Sequence, residues 1–213
     1  MLKRSASILV TFLFALLILS ISIFKSAKVG YTFSGDVAVS PETPLVLGES
    51  AEIEIDYDLP YPGKISPDSS LWFLKAARDR VWLVLTTDDI RRGELFLLFA
   101  DKRLGSARTL FEKGKPELGF STLSKGEKYL ESAAKTLEAN SKKGIDSIQF
   151  AQDLSNASLK HNEVIKEIEG IAPEDAKPKV NEVSNYAEGA YKTARDVLRS
   201  EGIDAAISPF DWD

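Results

Sequence analysis

Hydrophobic positions along the chain change their spacing twice, and the two changes divide it into an apolar start, a mixed middle and a long helical remainder. From Ser5 to Phe24 twenty residues pass without a charge, and Ile8–Phe24 is almost wholly aliphatic and aromatic. At 1.5 Å per residue such a helix spans the ~30 Å hydrocarbon core of a bilayer and satisfies its own backbone there. A transmembrane signal anchor is therefore expected. A cleaved signal peptide is the competing reading, but Lys25 and Lys28 crowd the exit, and a cut after Ala27 would leave a lysine three residues before it. Lys3 and Arg4 on a very short leader predict that the leader stays in the cytoplasm and that everything after the span lies outside.

The next stretch, 29–65, holds Pro41, Pro44, Pro60 and Pro62 together with Gly30, Gly35, Gly48 and Gly63, and reads as a linker. Within it Ile53, Ile55 and Tyr57 alternate with Glu52, Glu54, Asp56 and Asp58. That period of two predicts a strand with one buried face, in a hairpin with Val37–Val39 or within an extended connection.

After Ser66 the period becomes helical. A first, strongly aromatic helix is predicted over 69–85, with Asp68 or Ser69 as its cap. A second helix, capped by Thr86–Asp88 and ending near Gly114, carries Gly93, Leu97, Ala100, Leu104, Ala107 and Phe111 at steps of four and three. The third starts at Pro116 with Leu123, Leu130 and Leu137 on its seam and stops at Lys142–Gly144. The fourth, about 145–169, carries Ala151, Leu154, Ser158, His161, Ile165 and Ile168, with Gly170 closing it. The fifth follows Pro173 and carries Val180, Val183, Ala187, Ala190, Ala194 and Val197. Short turns between long helices predict an antiparallel up-down bundle of four to five helices over 66–205. The whole is thus read as all-α: stub and anchor over 1–28, an extended or β linker over 29–65, the bundle, and a tail over 206–213.

Charge then narrows the function. The net charge is −5, and without the four cations that precede Asp36 the remaining 23 basic residues face 32 acidic ones. An acidic domain with no basic stripe repels phosphate backbones, so no nucleic-acid partner is expected. There is no cysteine, which removes disulfides, thiolate metal sites and cysteine nucleophiles.

Candidate chemistry is sparse. His161, the sole histidine, lies on the inward stripe of the fourth helix, where a hydrogen-bonded core histidine is the expected role. A di-iron bundle needs Glu-x-x-His pairs, and residue 158 is serine. Glu163 and Glu167 sit beside Lys160 and Lys166, the spacing of a solvated helix face. No Gly-rich phosphate loop, Gly-x-Ser-x-Gly elbow or Walker lysine occurs. Neither an enzyme nor a cofactor is expected. The first helix stands out instead, because few of its positions are polar: Lys75, Arg78 and Asp79 form a narrow polar face with Trp82 beside it. It is predicted either to plug the end of the bundle or to lie on a bilayer or in a partner's groove, with Trp72, Phe73, Arg78 and Trp82 as the contact residues.

An ordered series of motifs adds to this: LPYPG at Leu59–Gly63, PDSSLWFLK at Pro67–Lys75, RDR at Arg78–Arg80, ADKRL at Ala100–Leu104, FEKGK at Phe111–Lys115 and TLSKGEKYL at Thr122–Leu130. In these the chain resembles an uncharacterised family of bacterial membrane-anchored helical proteins, known as a domain of unknown function. The resemblance implies a helical envelope domain behind one membrane helix, with no assigned activity. The combined expectation is a non-catalytic, membrane-anchored domain outside the cytoplasm, serving as an interaction, scaffold or sensing module. Its partners would be the bilayer, through residues 5–24, and another protein or a second copy of itself. The alternatives are a membrane-surface protein using the aromatic helix at 69–85, and a bundle that binds a small ligand or metal.

Overall fold

The computed structural model describes Phe33, residues 55–210 and Trp212. The expected span at residues 5–24 and the strand pairing with Val37–Val39 lie outside the described residues. Among the described residues five helices follow in order: α1 Trp72–Leu85, α2 Asp89–Glu112, α3 Pro116–Lys142, α4 Ile148–Ile171 and α5 Lys177–Ser200. No helix among the described residues is long and apolar enough to cross a membrane.

Local signals set most of the boundaries. Asp88 caps α2 by accepting the Arg91 backbone N–H at 2.7 Å, as an N-cap carboxylate should. Pro116 opens α3, where its missing N–H costs nothing. Gly114, Gly144 and Gly202 follow the ends of α2, α3 and α5 with φ of 66°, 70° and 74°, the left-handed geometry that closes a helix cheaply only at glycine. Two expectations shift. Gly170 lies inside α4, which runs to Ile171, two residues before Pro173. The start of α1 moves to Trp72, because Pro67–Leu71 forms turns in which the Ser69 hydroxyl accepts the Leu71 N–H rather than capping the helix.

The predicted seams are buried along all four long helices, and only Val197 stays partly exposed. Leu104, Leu123, Leu130, Leu137, Leu154 and Ile168 are completely enclosed. The short turns at 113–115 and 172–176 fold α2 on α3 and α4 on α5 as antiparallel hairpins, within which packing is most extensive. The hairpins then join through α3 with α5 and α2 with α4, whereas α3 and α4 barely meet. The chain thus crosses the bundle diagonally between them, and helices running the same way become lateral neighbours. Alanine on the facing sides, Ala133 and Ala134 against Ala187, Ala190 and Ala194, permits that close approach.

Residues 55–60 form no strand. The alternation is nonetheless used: Ile55 and Tyr57 pack on the helical core while Asp56 and Asp58 face water. A helix surface, not a neighbouring strand, buries the apolar side, so no ladder is needed. Nor is the C-terminal segment a free tail. Trp212 is buried against Tyr191 and Phe210, and the Tyr191 hydroxyl donates to the Ala206 carbonyl at 2.7 Å.

The plug expected of α1 is absent. It touches α2 only slightly, and Asp79 and Leu83 alone among its residues are buried. A helix packed across the end of the bundle would hide most of its apolar residues; α1 buries Leu83 and Asp79 and leaves its other large aliphatic residues exposed.

Candidate functional site

The inward side of α1 takes in Lys75 and Asp79 of the polar stripe read from the sequence, together with Trp72, Ala76 and Leu83, while Arg78 stays exposed. Lys75 donates to the carbonyls of Pro62 at 2.6 Å and Ile65 at 3.4 Å, tying the Leu59–Gly63 segment to the helix. Burial draws the Lys75 ammonium below its usual value, against the opposing pull of the Asp79 charge. Asp79, turned inward, is held by Arg78 at 2.6 Å. Around this stripe the attachment to α2 and α3 is mainly aromatic and cationic. Lys75 and Arg103 lie over the Trp72 ring, Arg103 also covers Tyr129, and Phe99 stands edge-on to both Tyr129 and Trp82. Such contacts fix a helix in place without requiring its aliphatic face.

That aliphatic face consequently points away from the bundle. Phe73, Leu74, Val81, Trp82, Val84 and Leu85 are all exposed, Val84 at 75% and Leu85 at 73%. Of the four contact residues read from the sequence, Phe73 lies on this outer side, Arg78 and Trp82 are exposed at its border, where they also touch Asp79 and Phe99, and Trp72 is drawn in under Arg103. Leu74, Val81, Val84 and Leu85 complete the surface. Their exposure was not legible in the sequence, because an apolar residue at helical spacing carries no mark of which side the core is on.

A second constellation is enclosed in the bundle. His161 is completely buried, its Nδ1 2.7 Å from Glu127 Oε1 on α3 and its Nε2 3.0 Å from Asp101 Oδ1 on α2. Burial alone pulls the imidazolium down. The Glu127 charge, hydrogen bonds to both carboxylates and the Asp101 charge outweigh it and push the pKa up to about 10. The Tyr57 hydroxyl donates to the other Asp101 oxygen at 2.7 Å, and burial and the Asp101 charge raise this phenol well above its ordinary range. Glu127 Oε2 has no hydrogen-bond partner among the described residues. A histidine with a carboxylate on each ring nitrogen has neither left to exchange a proton with a substrate, so the arrangement is that of a buried ion cluster. The expected core histidine is present; its partners carried no signal in the sequence, since Asp101 and Glu127 look like any helical acid.

Tyr57 and Asp101 also line a surface cleft of about 480 Å³ with Asp56, Asp58, Glu94 and Asp153 on its walls and Leu97, Leu98 and Phe150 among its apolar residues. No group of three or more acidic or histidine side chains among the described residues is arranged to hold a metal ion. Glu163 and Glu167, the paired acids of α4, are engaged by Lys160 and Arg108 as a solvated face would be.

Comparison with curated proteins and with solved structures found no match. A family model does match, over residues 64–175, which is more than half of the chain and runs from the turns before α1 past the end of α4. The chain belongs to the family described as domain of unknown function DUF5667.

Proposed function

We propose that this protein is a non-catalytic, membrane-tethered interaction domain outside the cytoplasm, and that it makes contact through the outer face of α1. The observation that carries the reading is the placement of that helix, with Lys75 and Asp79 turned inward beside Leu83 and Phe73, Leu74, Val81, Val84 and Leu85 exposed. Exposed apolar surface on a folded domain marks a contact site more often than an accident. The tether is supported by the uncharged Ser5–Phe24 segment, and the side of the membrane by the basic leader and acidic remainder. A non-catalytic role is supported by the closed His161 cluster.

The absence of cysteine makes the test direct. Glu182→Cys places one thiol on the exposed surface of α5, and a membrane-impermeant maleimide should label it in intact cells. Labelling only after lysis would overturn the placement. Val84→Cys carrying a photoactivated cross-linker should capture material in native membranes well above the Glu182→Cys control, and equal capture would remove α1 as the contact surface.

A further inference from the structure

We infer that the outer face of α1 docks on an anionic lipid surface, an inference that rests on the contact role proposed above and names what is contacted. At 100° per residue, the side chains of Phe73, Leu74, Ala77, Val81, Val84 and Leu85 fall in one strip about 120° wide, opposite the buried Asp79 and Leu83. Arg80 borders the strip on one side. Arg78 borders it on the other, with Trp82 just beyond. All three border residues are exposed. A convex apolar ridge between two arginines, with an indole at its margin, fits the boundary between acyl chains and headgroups: the strip enters the hydrocarbon, the guanidiniums reach back to phosphate, and the indole sits at the interface. A protein groove would have to supply carboxylates along both edges and walls around a broad ridge.

Charge favours the same occupant. Between Leu71 and Arg92 five cations face three carboxylates, a balance of +2 in a chain of net charge −5. Of those carboxylates Asp79 is buried against Arg78, Asp88 caps α2 and Asp89 pairs with Lys143. The remainder of the domain is repelled by an anionic membrane while this segment is drawn to it, which orients the domain. Covalent reach agrees. Phe33 donates its N–H to Glu117 at 3.4 Å and stacks edge-on against Phe120, at the end of the bundle where Lys115 ties Asp68 ahead of α1. Phe33 follows Phe24 by nine residues, at most about 30 Å of chain, so a bilayer holding residues 5–24 is within reach of that end.

The test uses the full chain reconstituted into phosphatidylcholine vesicles with or without phosphatidylglycerol, both with brominated acyl chains. An environment-sensitive nitrobenzoxadiazole is attached at Val84→Cys, or at Glu182→Cys as control. Quenching at position 84 several-fold above the control with phosphatidylglycerol, and reduced without it, is the expected result. Replacing Arg80→Gln, the bordering arginine that does not hold Asp79, should lower the docked-to-free ratio roughly fivefold; circular dichroism of this exposed-site variant should be unchanged. Quenching no greater than the control, or indifferent to phosphatidylglycerol, overturns the inference. If Val84→Cys nevertheless captures a protein in native membranes, the contact role survives and only its lipid assignment falls; loss of both removes the role as well.

Discussion

At the scale of single residues the largest demand on the sequence is the charge placed beside His161. An imidazolium fully removed from water is stable only while both carboxylates hold it, so the native state prefers the protonated ring more strongly than the unfolded chain does. With the folded pKa raised to about 10 from an ordinary 6.5, this pairing contributes fully below about pH 6.5 and is lost as pH rises toward 10. The melting temperature of the parent should therefore fall across that window by more than that of His161→Gln, whose side chain does not titrate. Parallel melting curves for the two proteins against pH would refute the charged state. Glu127→Gln keeps a hydrogen-bonding group at Nδ1 but removes its charge, and should lower stability by about 3 kcal/mol in denaturant unfolding.

At the scale of elements, two glycines separate packing from propensity. A Cβ built on Gly93 of α2 would come within 2.6 Å of the buried Phe150 ring of α4, while one on Gly189 of α5 meets nothing within 4 Å. Gly93→Ala should therefore destabilise by about 1–3 kcal/mol, as an overfilled core does. Gly189→Ala should stabilise by about 0.5–1 kcal/mol, because alanine loses less backbone entropy in a helix. The midpoints of urea unfolding should move in opposite directions. Stabilisation by both would mean that α2 and α4 are not held this closely.

At the scale of the whole molecule, α1 is attached by one stripe and leaves Leu74, Val81, Val84 and Leu85 of the other exposed. Leu83 joins Leu95 and Phe99 in a small cluster separate from the main core. Leu83→Ala should therefore lower stability by about 2 kcal/mol or more. Val84→Ser, on the outer side, should change it by less than about 0.5 kcal/mol. If the outer substitution proved the more damaging in thermal denaturation of the domain in detergent, the outer face would be part of the core and could not be a docking surface.

Among the described residues, the sequence by itself determined the all-helical class, all five helix starts to within a few residues and the buried seam of every long helix. These depend on short-range physics: apolar spacing at the helical period, a capping carboxylate at Asp88, a proline at the start of α3, and glycines where the chain must turn left-handed. Only the tertiary structure decided three further matters. It set the diagonal crossing between α3 and α4, because short turns fix direction but not which side of the bundle the next hairpin occupies. It brought Asp101, Glu127 and Tyr57 to His161 from three separate segments, and nothing in their spacing along the chain encodes that meeting. It also turned Lys75 and Asp79 of α1 inward and most of its large apolar residues outward. Lys75 is satisfied there by backbone carbonyls and Trp72 by Arg103, partners that lie elsewhere in the chain and that outweigh the usual rule that apolar residues go inside.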